Sequence, residues 1–151
     1  MSWWRGWGDA EPPHETGAFG RWAEDRAVRH LRRNGIRILE RNIRMPGGEI
    51  DLIGVERKSD LVCFVEVKAR RRRSTSGRGP QKAPEWAVDD AKRHRIQRAA
   101  REYLHLHAAG DLRHRFDVVA IEVGAGPVEL RWDRGAFGPE IGVPQESFPH
   151  A

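Results

Sequence analysis

Residues 48–70, GEIDLIGVERKSDLVCFVEVKAR, decide the fold of this chain. Two apolar runs, residues 49–55 and 61–69, flank a short charged break. The first run alternates acidic and apolar residues, and the second is rich in β-branched and aromatic residues. This period-two pattern on both sides of a polar break predicts a β-hairpin, in which residues two apart share a face.

The register of the hairpin brings two acids together. If the loop begins directly after Glu56, that residue pairs with Leu61, and Asp51 then falls opposite Glu66. Directly opposed side chains have Cβ atoms about 4.5–5.5 Å apart, so two carboxylates there repel unless a cation lies between them. Hard divalent cations such as Mg²⁺ take oxygen ligands of this kind. The register therefore predicts a metal site made by Asp51 and Glu66, with Lys68 beside it.

A second interpretation is a buried ion-pair network without a metal. In the same register Glu49 lies opposite Lys68, so this lysine could neutralise either Glu66 or Glu49. Charged side chains are almost never fully buried unless they are paired. Because several acids need more compensation than one lysine supplies, the metal site is the favoured interpretation.

Composition and charge limit the class of protein. A chain of 151 residues is long enough for one domain with a substantial core. Its 27 basic and 22 acidic residues give a net charge of +5, which favours an anionic partner. The single Cys63 excludes an internal disulfide, and its apolar neighbours indicate a core residue in a reducing cytosol. The sequence has neither an apolar run near the ~20 residues of a membrane span nor a signal-peptide core, so we expect a cytoplasmic protein.

The remaining sequence predicts helices and further strands around the hairpin. Helices are predicted at residues 19–34 and from Asp89 or Asp90 to about Ala109, and strands at residues 36–45, 115–123 and 128–132. Residues 1–16 form a Trp-rich N-terminal extension, residues 17–134 the domain, and residues 135–151 an irregular C-terminal tail rich in Pro and Gly.

Three charged residues lie on faces that the pattern predicts to be apolar. Glu24 shares a helical stripe with Leu31, and it is either a further metal or water ligand or a surface acid paired with an arginine. Lys92 precedes Ile96 on the apolar stripe of the second helix, and it either holds a phosphate or a metal-bound water or extends to solvent. Asp117 is a lone acid in a strand, for which we expect a structural role with a base of the second helix.

A basic run follows the hairpin. Residues 70–82 carry six basic and no acidic side chains, namely Arg70, Arg71, Arg72, Arg73, Arg78 and Lys82. Such a run can be a solvated charged loop, or it can bind phosphates with an affinity that depends on salt rather than on sequence. Its position directly after the acidic strand favours nucleic acid as the partner.

Other catalytic chemistries lack their motifs. The seven histidines have no zinc-ligand spacing and no cysteine partners. The sequence also has neither a GxxxxGK phosphate loop nor a GxSxG nucleophile elbow, so neither an ATPase nor a serine hydrolase is supported.

The ordered set of motifs resembles the PD-(D/E)xK nuclease superfamily. The matching residues are a helical acid, an Asp on one strand, and an E-x-K triplet on the next strand: Glu24, Asp51, Glu66 and Lys68. Residues 17–123 are more closely similar to the YraN-like family of small bacterial proteins, through GRWAEDRAVRHLRRNGIRILERNIRMPGGEIDLI, LVCFVEVKAR, the helix with Lys92, and RFDVV. One departure from the superfamily pattern is Ile50, which stands where a proline would directly precede the Asp.

The resemblance implies a fold and an activity. The implied fold is α/β, a restriction-endonuclease-like αβββαβ core with a mixed central sheet flanked by helices, similar to archaeal Holliday junction resolvases. The implied activity is that of an endonuclease acting on DNA with Mg²⁺ or Mn²⁺, with branched DNA among the candidate substrates and a homodimer among the candidate assemblies. A non-catalytic nucleic-acid-binding module with the same fold is the alternative, and an interaction protein that docks through its Trp-rich extension is a third option.

The resemblance also implies roles for individual residues. Asp51, Glu66 and the Val67 carbonyl would hold the metal, and Glu49 is a candidate ligand of a second ion. Lys68 would orient or deprotonate the attacking water, or stabilise the pentavalent phosphate. Glu24 would act through a water, and Lys92 with the basic run would contact phosphates.

Overall fold

The computed structural model describes residues 11–72 and 88–138. The elements follow the order α1 (Thr16–Arg33), β1 (Ile36–Met45), β2 (Gly48–Glu56), β3 (Leu61–Arg71), α2 (Asp90–Leu106), β4 (His114–Val123) and β5 (Glu129–Phe137). The strands form one sheet in the order β1-β2-β3-β4-β5. Neighbouring strands are antiparallel except β3 and β4, which are parallel because the chain crosses through α2 between them.

The two helices cover opposite faces of the sheet. On the α2 face, Phe64 of β3 stacks on Phe116 of β4 with ring centroids 5.6 Å apart, and both belong to the core cluster that contains the apolar side of α2. On the α1 face, Val65 and Val119 pack with Leu31 of α1. Because β3 and β4 are covered on both faces, their sequences are almost continuously apolar. This is the predicted α/β architecture with its αβββαβ core and mixed sheet, and it is consistent with a restriction-endonuclease-like core.

Local signals in the sequence account for the ends of the elements near the acids. Gly35 follows α1 with a φ of 87°, a left-handed conformation that favours glycine. The Asp89 side chain caps α2 by accepting the backbone N–H of Lys92 at 2.8 Å. The β1–β2 turn packs on α2 at Gly47, where a Cβ atom would lie 2.7 Å from the Arg98 side chain.

The observed boundaries differ from the predicted ones by three or more residues at three places. α1 begins at Thr16, three residues before the predicted start at Phe19, and α2 ends at Leu106, before the predicted end near Ala109. β5 continues to Phe137 and so enters the segment predicted to be an irregular tail. Burial explains this extension, since the Phe137 ring stacks on Phe116 at 5.0 Å. Neither helix of the described ranges combines the length and the apolar character that crossing a bilayer requires.

Candidate active site

The β2–β3 hairpin places the two predicted metal-binding acids together. The ladder begins with the pair Glu56 and Leu61, which confirms the predicted loop. It contains five residue pairs in total. The next step of this register sets Asp51 opposite Glu66, where regular pairing stops. There the Asp51 Oδ2 atom accepts the backbone N–H of Val67 at 2.8 Å. A side-chain carboxylate therefore replaces a backbone carbonyl as the partner of β3 at the end of the ladder.

Burial and the neighbouring Glu66 change the protonation of Asp51. Burial raises the pKa of Asp51 to about 7, and the charge of Glu66 adds to this effect. The N–H of Val67 and the ammonium of Lys92 lower the same pKa and only partly oppose the increase. At neutral pH the metal-free pair therefore carries less than two full negative charges. A cation between the carboxylates would relieve the repulsion.

Lys92 is the lysine that contacts this pair of acids. Its Nζ atom forms an ion pair with the Oε1 atom of Glu66, whose side chain is only 5% exposed. The backbone of Lys92 is held in place, because the residue lies in the first turn of α2 and the Asp89 cap accepts its N–H. Burial lowers the pKa of Lys92, but the hydrogen bond and the charge of Glu66 outweigh burial, so the pKa is raised overall.

The acids open into a cavity of about 700 Å³ between the β1–β2 turn and the start of α2. Asp51, Glu66 and Lys92 lie on its wall, together with Arg44 and Arg95. The sequence interpretation assigned no role to these two arginines in the site. A signal existed for Arg95, since it follows Lys92 by three residues and so shares its side of the helix. With Glu49, the wall of the cavity thus carries three acidic and three basic side chains.

Lys68 is not bound to this group of side chains in the described ranges. It is half-buried and follows Glu66 by two residues, so both lie on the face of β3 that α2 covers. Within the described ranges it forms no ion pair with either acid, and it is not part of the cavity wall. The ammonium of Lys68 is therefore uncommitted in the described structure.

Glu24 is bound to β1. Its Oε2 atom accepts a hydrogen bond from Asn42 Nδ2 at 3.0 Å and lies 3.6 Å from Arg41 Nη2. In the register of β1 and β2, the residue pairs directly before and after Asn42 place this residue opposite Asp51. Glu24 is therefore held one strand away from Asp51, and it pairs with an arginine although only 17% of its side chain is exposed.

Glu49 and Val67 contribute in different ways from the two acids. The Glu49 carboxylate is bound by Arg44 Nε at 2.7 Å, and its side chain is 61% exposed at the edge of the cavity. The structure thus gives Glu49 an arginine partner, which a role as a second-metal ligand would have to replace. Val67 positions Asp51 through its N–H, while its side chain packs on the α1 face.

The described part of the basic run is bound within the chain. Arg70 and Arg72 both form ion pairs with Glu122 of β4, the first with a distance of 2.9 Å from Nη2 to Oε2. Burial raises the pKa of Glu122, but the two arginines outweigh it and the pKa is lowered. Arg71 lies over the Phe19 ring with its Cζ atom 4.6 Å from the ring centroid. The other predicted phosphate ligands of the run lie outside the described residues: Arg73, Arg78 and Lys82.

Asp117 has the structural role that was predicted, but with other partners. It is fully buried and accepts hydrogen bonds from Arg115 Nε at 2.9 Å, Trp132 Nε1 at 3.0 Å and the Gly135 N–H at 2.9 Å. The prediction of a partner on the second helix was wrong. Asp117 alternates with Phe116, which faces α2, so its side chain lies on the opposite face of the sheet.

The donor set of the acid pair fits a small hard cation. The described ranges contain no group of three or more His, Cys, Asp or Glu side chains that could hold a metal by themselves. Mg²⁺ is usually bound by one or two carboxylates, and waters and substrate phosphates complete its shell. Asp51 and Glu66 meet this requirement, because the Val67 N–H occupies only one carboxylate oxygen of Asp51.

The UPF0102 sequence-family model, described as an uncharacterised protein family, matches residues 23–121. The chain belongs to the UPF0102 family. This is the YraN-like family that the sequence resembles, a PD-(D/E)xK-like nuclease family. The matched range contains Glu24, Asp51, Glu66, Lys68 and Lys92. It ends before β5 and begins after the Trp-rich extension.

Relatives in this family align over most of their own length. A UPF0102 protein of Syntrophotalea carbinolica is 42% identical over 120 residues, which cover 80% of this chain and 91% of the relative. One of Dechloromonas aromatica is 43% identical over 122 residues, with 81% and 90% covered. One of Ralstonia pickettii is 42% identical over 127 residues, with 84% and 95% covered. The UPF0102 name assigns no reaction, so the activity has to be argued from the site.

Proposed function

We propose that this protein is a divalent-metal-dependent endonuclease that hydrolyses DNA phosphodiesters. The observation that carries the proposal is the Asp51–Glu66 pair at the end of the β2–β3 ladder, open to a cavity whose wall also carries basic side chains. Two opposed acids repel phosphate, so a protein that only bound nucleic acid would gain nothing from them there. A cation held by both acids removes this repulsion and can coordinate phosphate oxygens.

In this proposal each residue of the site has a separate role. Asp51 and Glu66 would hold Mg²⁺ or Mn²⁺, with the Val67 carbonyl as a further oxygen ligand. When bound, such an ion stabilises the charge on the transferring phosphoryl group and lowers the pKa of the attacking water. Lys68 would orient or deprotonate that water, or stabilise the pentavalent phosphate, and no ion pair joins it to Asp51 or Glu66 in the described part of the chain.

Three basic side chains on the wall of the cavity support binding of the DNA backbone. Arg95 and Lys92 extend from the first turns of α2, and Arg44 lies across from them near the β1–β2 turn. Cations of this kind position phosphates without reading the sequence. We propose that these side chains orient the scissile strand above the acids. Branched DNA is the first substrate to test because of the resemblance to junction resolvases, which act as two-fold dimers.

A cleavage assay with matched variants tests the proposal. A labelled four-way junction and a linear duplex of the same sequence are incubated with the protein in Mg²⁺, Mn²⁺ or EDTA. Asp51→Asn and Lys68→Ala are expected to abolish metal-dependent nicking. Asp133→Asn is the control, because Asp133 is a half-exposed acid on β5 that pairs with Arg131.

Each outcome of the assay is informative. Nicking that needs a metal, persists in Asp133→Asn and is lost in both site variants supports the endonuclease. The ratio of junction to duplex cleavage then defines the substrate. Salt-dependent DNA binding with no cleavage in any metal contradicts the proposal and favours the non-catalytic binding module.

A further inference from the structure

The ion pair between Lys92 and Glu66 engages one of the two carboxylates that are proposed to hold a metal. The Nζ atom of Lys92 contacts Oε1 of Glu66, and Glu66 is almost completely enclosed, with 5% of its side chain exposed. Both residues line the cavity together with Asp51. In the metal-free protein it therefore supplies part of the positive charge that the opposed carboxylates require.

Lys92 is attached in a way that allows its head group to leave while its backbone stays. The backbone N–H is held by the Asp89 cap, so the Cα position belongs to the fixed first turn of α2. The side chain, in contrast, is 41% exposed and has four flexible carbons. The ammonium can thus exchange its contact with Glu66 for solvent without any change in the fold.

The other cations of the cavity are not placed for this role. Arg44 is bound to Glu49 at the edge of the cavity. Arg95 lines the wall one turn further along α2, and no ion pair joins it to Asp51 or Glu66 in the described residues. Among the described residues, Lys92 is therefore the cation of this wall that forms an ion pair with a member of the Asp51–Glu66 pair.

We propose that Lys92 is a built-in counter-ion of the acid pair, which a divalent cation must displace from Glu66 in order to bind. The inference rests on the proposed metal-dependent function and adds an ion-exchange step to it. A lysine in this position partly neutralises the two carboxylates before a metal binds, and it weakens the affinity of the site for metal. After displacement the ammonium remains tethered at the rim of the cavity.

Removal of the lysine charge should have two opposite effects. Without metal, the two carboxylates lose their counter-ion, so the folded protein should become less stable. With metal, the divalent cation no longer competes with a tethered charge, so it should bind more tightly and restore the stability. A lysine that served only to support the fold would produce the first effect without the second.

Direct Mn²⁺ binding measures this competition without any reaction. Electron paramagnetic resonance of free Mn²⁺ gives the Kd for the parent, Lys92→Met and Lys92→Gln, and thermal unfolding is followed in EDTA and in saturating Mn²⁺. Because the Gln variant retains a hydrogen-bond donor for Glu66, it keeps the test valid if the Met variant does not fold. Arg95→Met is the control for the general removal of one positive charge from the same wall.

We expect the Kd for Mn²⁺ to fall at least about fivefold in both Lys92 variants and no more than about twofold in Arg95→Met. In EDTA the Tm of Lys92→Met should lie below that of the parent, and Mn²⁺ should raise it by more than it raises the parent. An unchanged or larger Kd for Mn²⁺ in folded Lys92 variants overturns the proposal that the metal displaces Lys92, but it does not contradict metal binding by the acid pair. Absence of Mn²⁺ binding in the parent and in every variant overturns the proposed metal-dependent function itself, and the exchange with it.

Discussion

The Oδ2 atom of Asp51 accepts the backbone N–H of Val67 at 2.8 Å, at the point where the β2–β3 ladder ends. This bond fixes the Asp51 carboxylate between two strands before any cation or substrate arrives. It also holds the carboxylate in a buried position against Glu66, and burial first and the charge of Glu66 second raise the pKa of Asp51 to about 7. The hairpin therefore maintains a repulsive pair of acids in a set geometry, which is useful for binding a cation and unfavourable for stability alone.

Replacement of Lys68 should separate binding from chemistry. Lys68→Ala is expected to leave the Kd for Mn²⁺ within about twofold of the parent, because no ion pair joins Lys68 to either acid in the described residues. DNA cleavage should fall by a factor of about 100 or more if this ammonium acts on the water or the phosphate. Mn²⁺ binding and nicking are measured on the same preparation. Loss of metal binding together with cleavage would instead place Lys68 among the groups that maintain the acid pair.

Replacement of Arg70 should reduce stability more than it affects DNA binding. Arg70→Ala removes a partner of buried Glu122, and we expect a decrease of about 1–2 kcal/mol in the free energy of unfolding in urea. The slope of DNA affinity against salt should change little, because the arginine is already engaged within the chain. Arg37→Ala, at an exposed position of β1, is the control and should be close to neutral. A much weaker salt slope in Arg70→Ala would show that this side chain binds phosphate after all.

The ion pairs of Glu122 with Arg70 and Arg72 should make the free energy of unfolding depend on pH. The pKa of Glu122 is lowered by Arg70 and Arg72, so its contribution to stability is complete above its ordinary pKa of 4.5 and is lost as the pH falls through its folded value. We therefore expect Glu122→Gln to be less stable than the parent at pH 7. The difference should disappear in strongly acidic solution. Urea unfolding at several pH values measures it, and a difference that stays constant with pH would exclude the ion pairs as the cause.

The acid pair could be predicted from the sequence because it depends on local rules. A short charged break sets the length of the hairpin loop, the loop sets the register, and the register sets Asp51 opposite Glu66. The bond from Val67 to Asp51 could not be predicted in this way, since it requires the ladder to stop at that residue pair. Lys92 was correctly placed on the sheet side of its helix by its spacing from Ile96.

The contacts between distant elements could not be predicted from the sequence. Arg70 lies beside Glu122 because β3 and β4 are parallel, and the register across a helical crossover leaves no trace in a local pattern. The bond of Glu24 to Asn42 likewise depends on how α1 packs on the sheet. Asp117 illustrates both cases, since Arg115 follows from period-two alternation, whereas its other partners depend on the register of β5.

Asp117 should be essential for folding rather than for activity. Its carboxylate is fully buried and satisfies donors from Arg115, Trp132 and Gly135. We expect Asp117→Ala to cost about 3–5 kcal/mol, because it leaves the guanidinium and two N–H groups without their acceptor. Urea unfolding followed by tryptophan fluorescence provides the measurement. Asp133→Asn, which changes a partly exposed acid on β5, should cost less than about 1 kcal/mol. Equal losses in the two variants would show that the buried network contributes little.

Replacement of Asp51 should stabilise the metal-free protein at alkaline pH. Asp51 has a pKa of about 7 in the folded chain against an ordinary value of 3.8, so ionisation destabilises the fold as the pH rises through this interval. Asp51→Asn avoids that loss and still offers an oxygen to the Val67 N–H. In EDTA its Tm should exceed that of the parent at pH 8, by about 4 °C for each kcal/mol of relieved repulsion. At pH 4 the two proteins should unfold at nearly the same temperature.

Saturating Mn²⁺ should reverse this order at pH 8. The parent gains stability from binding the ion, whereas Asp51→Asn has lost a charged ligand and should gain little. Thermal unfolding of the two proteins with EDTA or Mn²⁺ at pH 4 and pH 8 tests both parts of the prediction. If Asp51→Asn is less stable than the parent in EDTA at pH 8, the ionised carboxylate is a net stabilising group, and burial and the charge of Glu66 together do not destabilise it. That result would remove the physical reason for a cation at this position.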